Sequence, residues 1–176
     1  RVEKLLTEPG RDLFEGLVTE AADGALIPGA AESWTISEDG RVYTFRLRAN
    51  GRWSNGDPVV AEDFVFGLRR SADPATLSEY SAILYPIDNA EAVVNGQLPP
   101  ETLGVRAIDE RTLEIRLHSP TPYLLGLLTH SSTYPVHRAS VEKFGDKFAR
   151  PGNLVSNGAY RLSDWVVQSH IQLVRN

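Results

Sequence analysis

The chain has 176 residues, 41% of them hydrophobic, enough for one well-buried core or for a core with a small satellite unit. Its 18 basic and 23 acidic side chains leave a net charge of -5, which gives no electrostatic footprint for nucleic acid or an anionic membrane surface. The absence of cysteine excludes a disulfide framework, a thiolate metal site and a cysteine nucleophile together, and no apolar run approaches the roughly 18 residues that a membrane-spanning helix needs. There is no methionine and the sequence opens at Arg1, so its ends read as processed or truncated ends.

Taken in chain order, the pattern predicts a short helix over Arg11 to Leu17 and then a β-hairpin from Glu32 to Arg48. The hairpin turns at Ser37-Glu38-Asp39-Gly40, after which Tyr43, Phe45 and Leu47 alternate with Thr44, Arg46 and Arg48. Ala61 to Arg70 is the best helical pattern: Ala61, Phe64, Val65, Leu68 and Ala72 share one face. Glu62-Asp63 and Arg69-Arg70 complement the dipole at its two ends, and Asp73-Pro74 stops it. A weaker helix follows over Asn89 to Asn95.

A second hairpin spans Val105 to His118, turning at Asp109-Glu110-Arg111, with Leu113, Ile115 and Leu117 on one face. Short helices are expected over Pro122 to Leu128 and Ala139 to Phe144. A third hairpin begins at Ala159, passes Trp165 and Val167, and returns through Ile171 and Leu173 to Asn176. Neither Leu98-Pro99-Pro100 nor Arg150-Pro151-Gly152-Asn153 is long enough to be an interdomain linker. The fold class is α+β, with antiparallel hairpins packed against short helices.

The sequence carries no recognisable catalytic motif. His118, His130, His137 and His170 show no close helical pair, and scattered histidines of this kind are surface or structural groups. Glu62-Asp63 and Asp109-Glu110 read as solvated charge, since neighbouring carboxylates on a helix or turn rarely converge on one bond. Neither a nucleophile elbow nor a dinucleotide or phosphate loop is present. No catalytic residue, metal ligand or cofactor is expected. Trp34, Trp53 and Trp165 each fall near a turn, where tryptophans pack under loops with the indole N–H on a carbonyl; the alternative is that one of them lines a cleft.

Several segments carry a resemblance. Arg11-Asp12-Leu13-Phe14-Glu15-Gly16-Leu17, Pro28-Gly29-Ala30-Ala31-Glu32-Ser33-Trp34, Tyr43 to Arg48 and Trp53-Ser54-Asn55-Gly56-Asp57-Pro58-Val59 look like the signature region of bacterial oligopeptide- and dipeptide-binding proteins. Ala61-Glu62-Asp63-Phe64-Val65, Leu103-Gly104-Val105, Val141 to Lys147 and Asn157-Gly158-Ala159-Tyr160 continue it in the same order. The chain thus resembles extracellular solute-binding protein family 5, with Pro120 to Tyr123 and Val141 to Lys147 nearest the oligopeptide-binding members. The opening ten residues depart from the pattern. Val60 stands where the family often has a threonine able to cap the next helix, so the start of that helix is expected to be softer.

That resemblance implies a two-lobed periplasmic-binding-protein fold of which residues 1–176 form an N-terminal lobe fragment, the remainder being absent. It implies the substrate-binding component of a peptide ABC transporter, periplasmic or lipid-anchored after removal of a signal peptide. Such a component captures extended oligopeptides and delivers them to an inner-membrane ABC permease. Tyr80 matches a family tyrosine that reaches the peptide; Asn157 and Gly158 fall near the lobe interface, although turn chemistry alone also explains them. Self-association is expected through an apolar face left open by truncation, and nucleic acid is not expected as a partner. The rivals are a carboxylate-dependent hydrolase domain and a receptor of the same family for murein peptide, nickel or haem.

Overall fold

A computed structural model describes residues 10–166 and 168–176. In chain order these form α1 (Gly10–Leu13), β1 (Val18–Glu20), β2 (Leu26–Pro28), β3 (Ala31–Ile36), β4 (Val42–Leu47), α2 (Ala61–Ala72) and α3 (Ala90–Val94). There follow β5 (Val105–Asp109), β6 (Thr112–Arg116), α4 (Leu124–Leu127), α5 (Arg138–Phe144), β7 (Tyr160–Val166) and β8 (His170–Arg175).

The first two predicted hairpins form and lie side by side in one antiparallel sheet of order β3-β4-β6-β5, joined where Phe45 faces Leu113 and Tyr43 faces Ile115. Period-two alternation decides which face is buried: Tyr43, Phe45, Leu47, Leu113, Ile115 and Leu117 are all shielded from solvent. Onto that layer α2 brings Ala61, Phe64, Val65 and Leu68, and the residues of both elements belong to one hydrophobic core. The polar alternates carry a charge ladder, in which the Glu114 carboxylate accepts from Arg106 Nε at 2.8 Å and from Arg116 Nε at 2.9 Å. The Arg106 hydrogen bond is the main reason that carboxyl titrates below its ordinary range.

Asp73-Pro74 ends α2 as expected, two residues beyond the predicted limit, with the Asp73 N–H still donating to Arg69 O at 2.9 Å. The start of α2 departs from expectation. Val60 offers no side-chain cap, but the Asp63 carboxylate reaches back to accept from the Val60 N–H at 2.9 Å, and Trp53 Nε1 donates to the same oxygen at 3.0 Å. The missing threonine is therefore offset from inside the helix. Trp53 is only 2% exposed and bonds a carboxylate rather than the expected carbonyl. Trp34 lies within β3, its ring 6.3 Å from that of Phe45.

The first predicted helix is cut short. It ends at Leu13 because the next residues pair elsewhere: Ala30 N–H donates to Gly16 O at 2.8 Å and Ala31 N–H to Leu17 O at 3.1 Å. Strands β1 and β2 continue this pairing as a small ribbon, too short at three residues each to declare itself by alternation. The third hairpin forms as β7–β8 with a register shift between Leu162 and Asp164; Val167, expected within it, lies outside the described residues. Helices α3, α4 and α5 sit within or close to their predicted spans. No helix among the described residues is long and apolar enough to cross a membrane.

Candidate ligand cleft

A cleft of about 920 Å³ opens where α1, α2, the loop after α2, the segment around His130 to Val136 and β7 meet. Leu13 and Phe14 form part of its floor, Pro135, Val136 and Trp165 add apolar surface, and the loop Thr76 to Tyr80 forms another wall. Mostly apolar walls with a few polar groups are what a ligand site requires. Of the three tryptophans only Trp165 lines this cleft.

Tyr80 lies in this cleft with 51% of its surface exposed, its ring 5.0 Å from that of His130 and tilted by 52°. The imidazole is oriented by its own backbone: His130 Nδ1 accepts from the Ser132 N–H at 3.2 Å, opening the Ser131–Thr133 turn and placing the proton of a neutral ring on Nε2. Arg70 adds a cationic group whose guanidinium lies 5.3 Å from the Phe148 ring centre. Burial pushes its pKa below the ordinary arginine range, while Asp146 and Asp73 act in the opposite sense.

Asn157 and Gly158 are brought together, but in a smaller pocket of about 360 Å³ that also holds Glu15, Arg48 and Arg52. The Asn157 amide clamps the backbone of one residue from both sides, accepting from Glu15 N–H at 3.1 Å and donating to Glu15 O at 2.9 Å. The Gly158 N–H donates to Leu13 O at 2.8 Å. Their polar atoms thus hold residues 13–15, whose first two members line the larger cleft. Glu15 is ion-paired with Arg48; burial raises its carboxyl above the ordinary range, and Arg48 works against that rise.

One constellation escaped the sequence reading. Asp57 Oδ2 lies 3.0 Å from His137 Nε2, and His137 Nδ1 lies 2.9 Å from Ser140 Oγ. The order is that of a nucleophilic triad, but Ser140 is buried, and its N–H is directed at the same Nδ1 at 3.3 Å, so the histidine serves as the cap of α5. The two carboxylates raised by burial do not form an acid and base pair either: Glu15 is held by Arg48, and Asp63 by Trp53 and Val60. Among the described residues no three or more His, Asp or Glu side chains are grouped to hold a metal ion.

This arrangement of helices and antiparallel strands is that of periplasmic binding proteins of known structure, over the part of them that the chain spans. The structure of Haemophilus influenzae OppA in complex with RPPGFSPFR superposes with a TM-score of 0.92 at 43% identity, covering 95% of this chain and 33% of that one. The model of the bacterial extracellular solute-binding proteins, family 5 Middle, matches residues 25–176, and the chain belongs to that family. It is 49% identical over 168 residues to the periplasmic oligopeptide-binding protein OppA of Escherichia coli (strain K12), covering 94% of this chain and 31% of the relative. To the periplasmic murein peptide-binding protein MppA of the same organism it is 44% identical, again covering 94% of this chain and 31% of the relative. The chain therefore spans about a third of the length of the curated relatives it matches.

Proposed function

We propose that this chain supplies one wall of the ligand cleft in the substrate-binding component of a peptide ABC transporter, working outside the cytoplasmic membrane as a periplasmic or lipid-anchored receptor. Its ligand is an extended oligopeptide, its partner an inner-membrane permease, and its task capture and not catalysis. The observation that carries this reading is Tyr80: a half-exposed phenol in a wide, largely apolar cleft, in a chain 49% identical to a curated oligopeptide-binding protein. A phenol pairs with main-chain amides whatever the side chains, as a receptor of broad range requires. Asn157 and Gly158 take part by positioning, since they fix the segment from which Leu13 and Phe14 enter the cleft.

Tyr80→Phe keeps the ring and its packing on His130 while removing the hydroxyl. In the full gene product that carries this chain, peptide affinity is expected to weaken by about 0.5–1.5 kcal/mol, the net worth of one hydrogen bond. Calorimetric titration with tri- to pentapeptides, beside a thermal melt showing an unchanged fold, reads this directly. Equal affinity in the two proteins would remove Tyr80 from the site. A murein peptide is a second reading, favoured by the 44% identity to MppA, and competition between murein tripeptide and ordinary tripeptides separates the two.

A further inference from the structure

Leu77 stands in the left-handed region, at φ 54° and ψ 41°, and is 82% exposed, more than any other large hydrophobic residue described. Both features run against folding. Left-handed backbone is unfavourable for a residue with a Cβ, and an isobutyl group in water gains nothing from the hydrophobic effect. Among the described residues only Asn89 and Gln168 share a positive φ without being glycine, and both are polar.

The loop imposes this geometry. Asp73 accepts from the Ala75 N–H at 2.9 Å and opens the Pro74–Thr76 turn, and the Leu77 N–H closes it onto Pro74 O at 3.1 Å. The turn thus holds Leu77 on the wall of the cleft that Tyr80 also lines, three residues before it in the chain. A backbone strained to keep an apolar group exposed at a binding cleft is the pattern expected of a ligand contact.

We infer that Leu77 is a specificity-determining residue, which covers an apolar side chain of the bound peptide next to the part of its backbone held by Tyr80. The inference rests on the peptide reading of the cleft. Tyr80 tolerates any sequence because it addresses the main chain; Leu77 supplies a preference because it addresses one side chain. Water-filled space would accept any group at that position, whereas an isobutyl wall rewards an apolar one.

The test uses the full gene product that carries this chain and a trialanine host in which each position in turn is replaced by leucine or by lysine. Calorimetry is expected to show a preference for leucine over alanine at one position. Leu77→Ala should shrink that preference by roughly 5- to 30-fold, the loss expected when a leucine contact is cut back to a methyl group. Leu77→Gly should lose the preference equally while melting at or above the parent temperature, because it also relieves the left-handed strain. A preference unchanged in both variants overturns the inference and leaves the peptide reading standing. Failure of the unsubstituted protein to bind any peptide of the series overturns both.

Discussion

Asp63→Ala is expected to lower the stability of the chain by about 2–6 kcal/mol, because one carboxylate oxygen serves two shielded donors and its removal strands both, each costing about 1–3 kcal/mol. Those donors are the Val60 N–H at the start of α2 and the indole N–H of Trp53, and nothing else on Val60 can cap the helix. Asp63→Asn is the control: an amide oxygen can accept from both donors, so the cost should stay under about 1 kcal/mol. The parent and Asp63→Asn also differ in their response to acid. Burial raises the Asp63 carboxyl above its ordinary value of 3.8, while the Val60 and Trp53 hydrogen bonds and the charges of His137 and Arg138 pull it back. A carboxyl raised by folding makes the folded state hold its proton more tightly than the unfolded chain does. The contribution of this group to stability is therefore greatest below the unfolded value, and falls as the pH rises through that value to the raised one. Asp63→Asn should lack this fall. Urea midpoints of parent and Asp63→Asn should consequently draw further apart as the pH drops toward the ordinary carboxylate value, the parent gaining on the variant. Parallel curves would mean that Asp63 is not held as described.

The capping carboxylate shows where sequence reading stops. Asp63 stood out in the sequence as an acidic residue in a first turn, and Val60 as a missing cap, but the link between them required knowing that Trp53 comes back across the loop to the same oxygen. The elements themselves were legible wherever a face is buried. Alternation located Tyr43 to Leu47 and Leu113 to Leu117, and helical spacing located Phe64, Val65 and Leu68, because burial on one side is what those periods record. The pairing of β4 with β6 was not legible, since it joins two hairpins far apart in sequence, each locally complete. The ribbon β1–β2 was missed for the opposite reason, having too few residues to show any period.

The cleft divides in the same way. Tyr80 came from a resemblance, whereas Trp165 was one of three tryptophans for which packing under a loop was the leading reading; both line the cleft. Leu77 had no signal, since leucine is the commonest of core residues and nothing in its letter announces a left-handed backbone. The Asp57–His137–Ser140 series was equally silent, because its members come from a loop and a helix start that only the fold brings together.

Gly158→Ala should cost about 1–3 kcal/mol, the range expected when a group is forced into space that cannot yield. A methyl carbon at that position would lie 2.6 Å from both Asp12 O and Leu13 C and 2.7 Å from Leu13 O, all of them backbone atoms. A side chain could swing aside, but main chain at that distance moves only if the approach of β7 to α1 is given up, and the Gly158 N–H to Leu13 O hydrogen bond with it. Gly126→Ala is the matched control. It lies within α4, meets nothing within 4 Å, and should stabilise by about 0.4–1 kcal/mol through lower freedom of the unfolded chain. Urea unfolding at constant m reads both changes. Leu13 and Phe14 line the larger cleft, so on the proposed peptide reading the Gly158 variant of the full gene product should also bind peptide more weakly, in step with its loss of stability. Weaker binding at unchanged stability would instead make Gly158 a direct ligand contact, and unchanged values of both would mean that α1 and β7 do not meet as they do here.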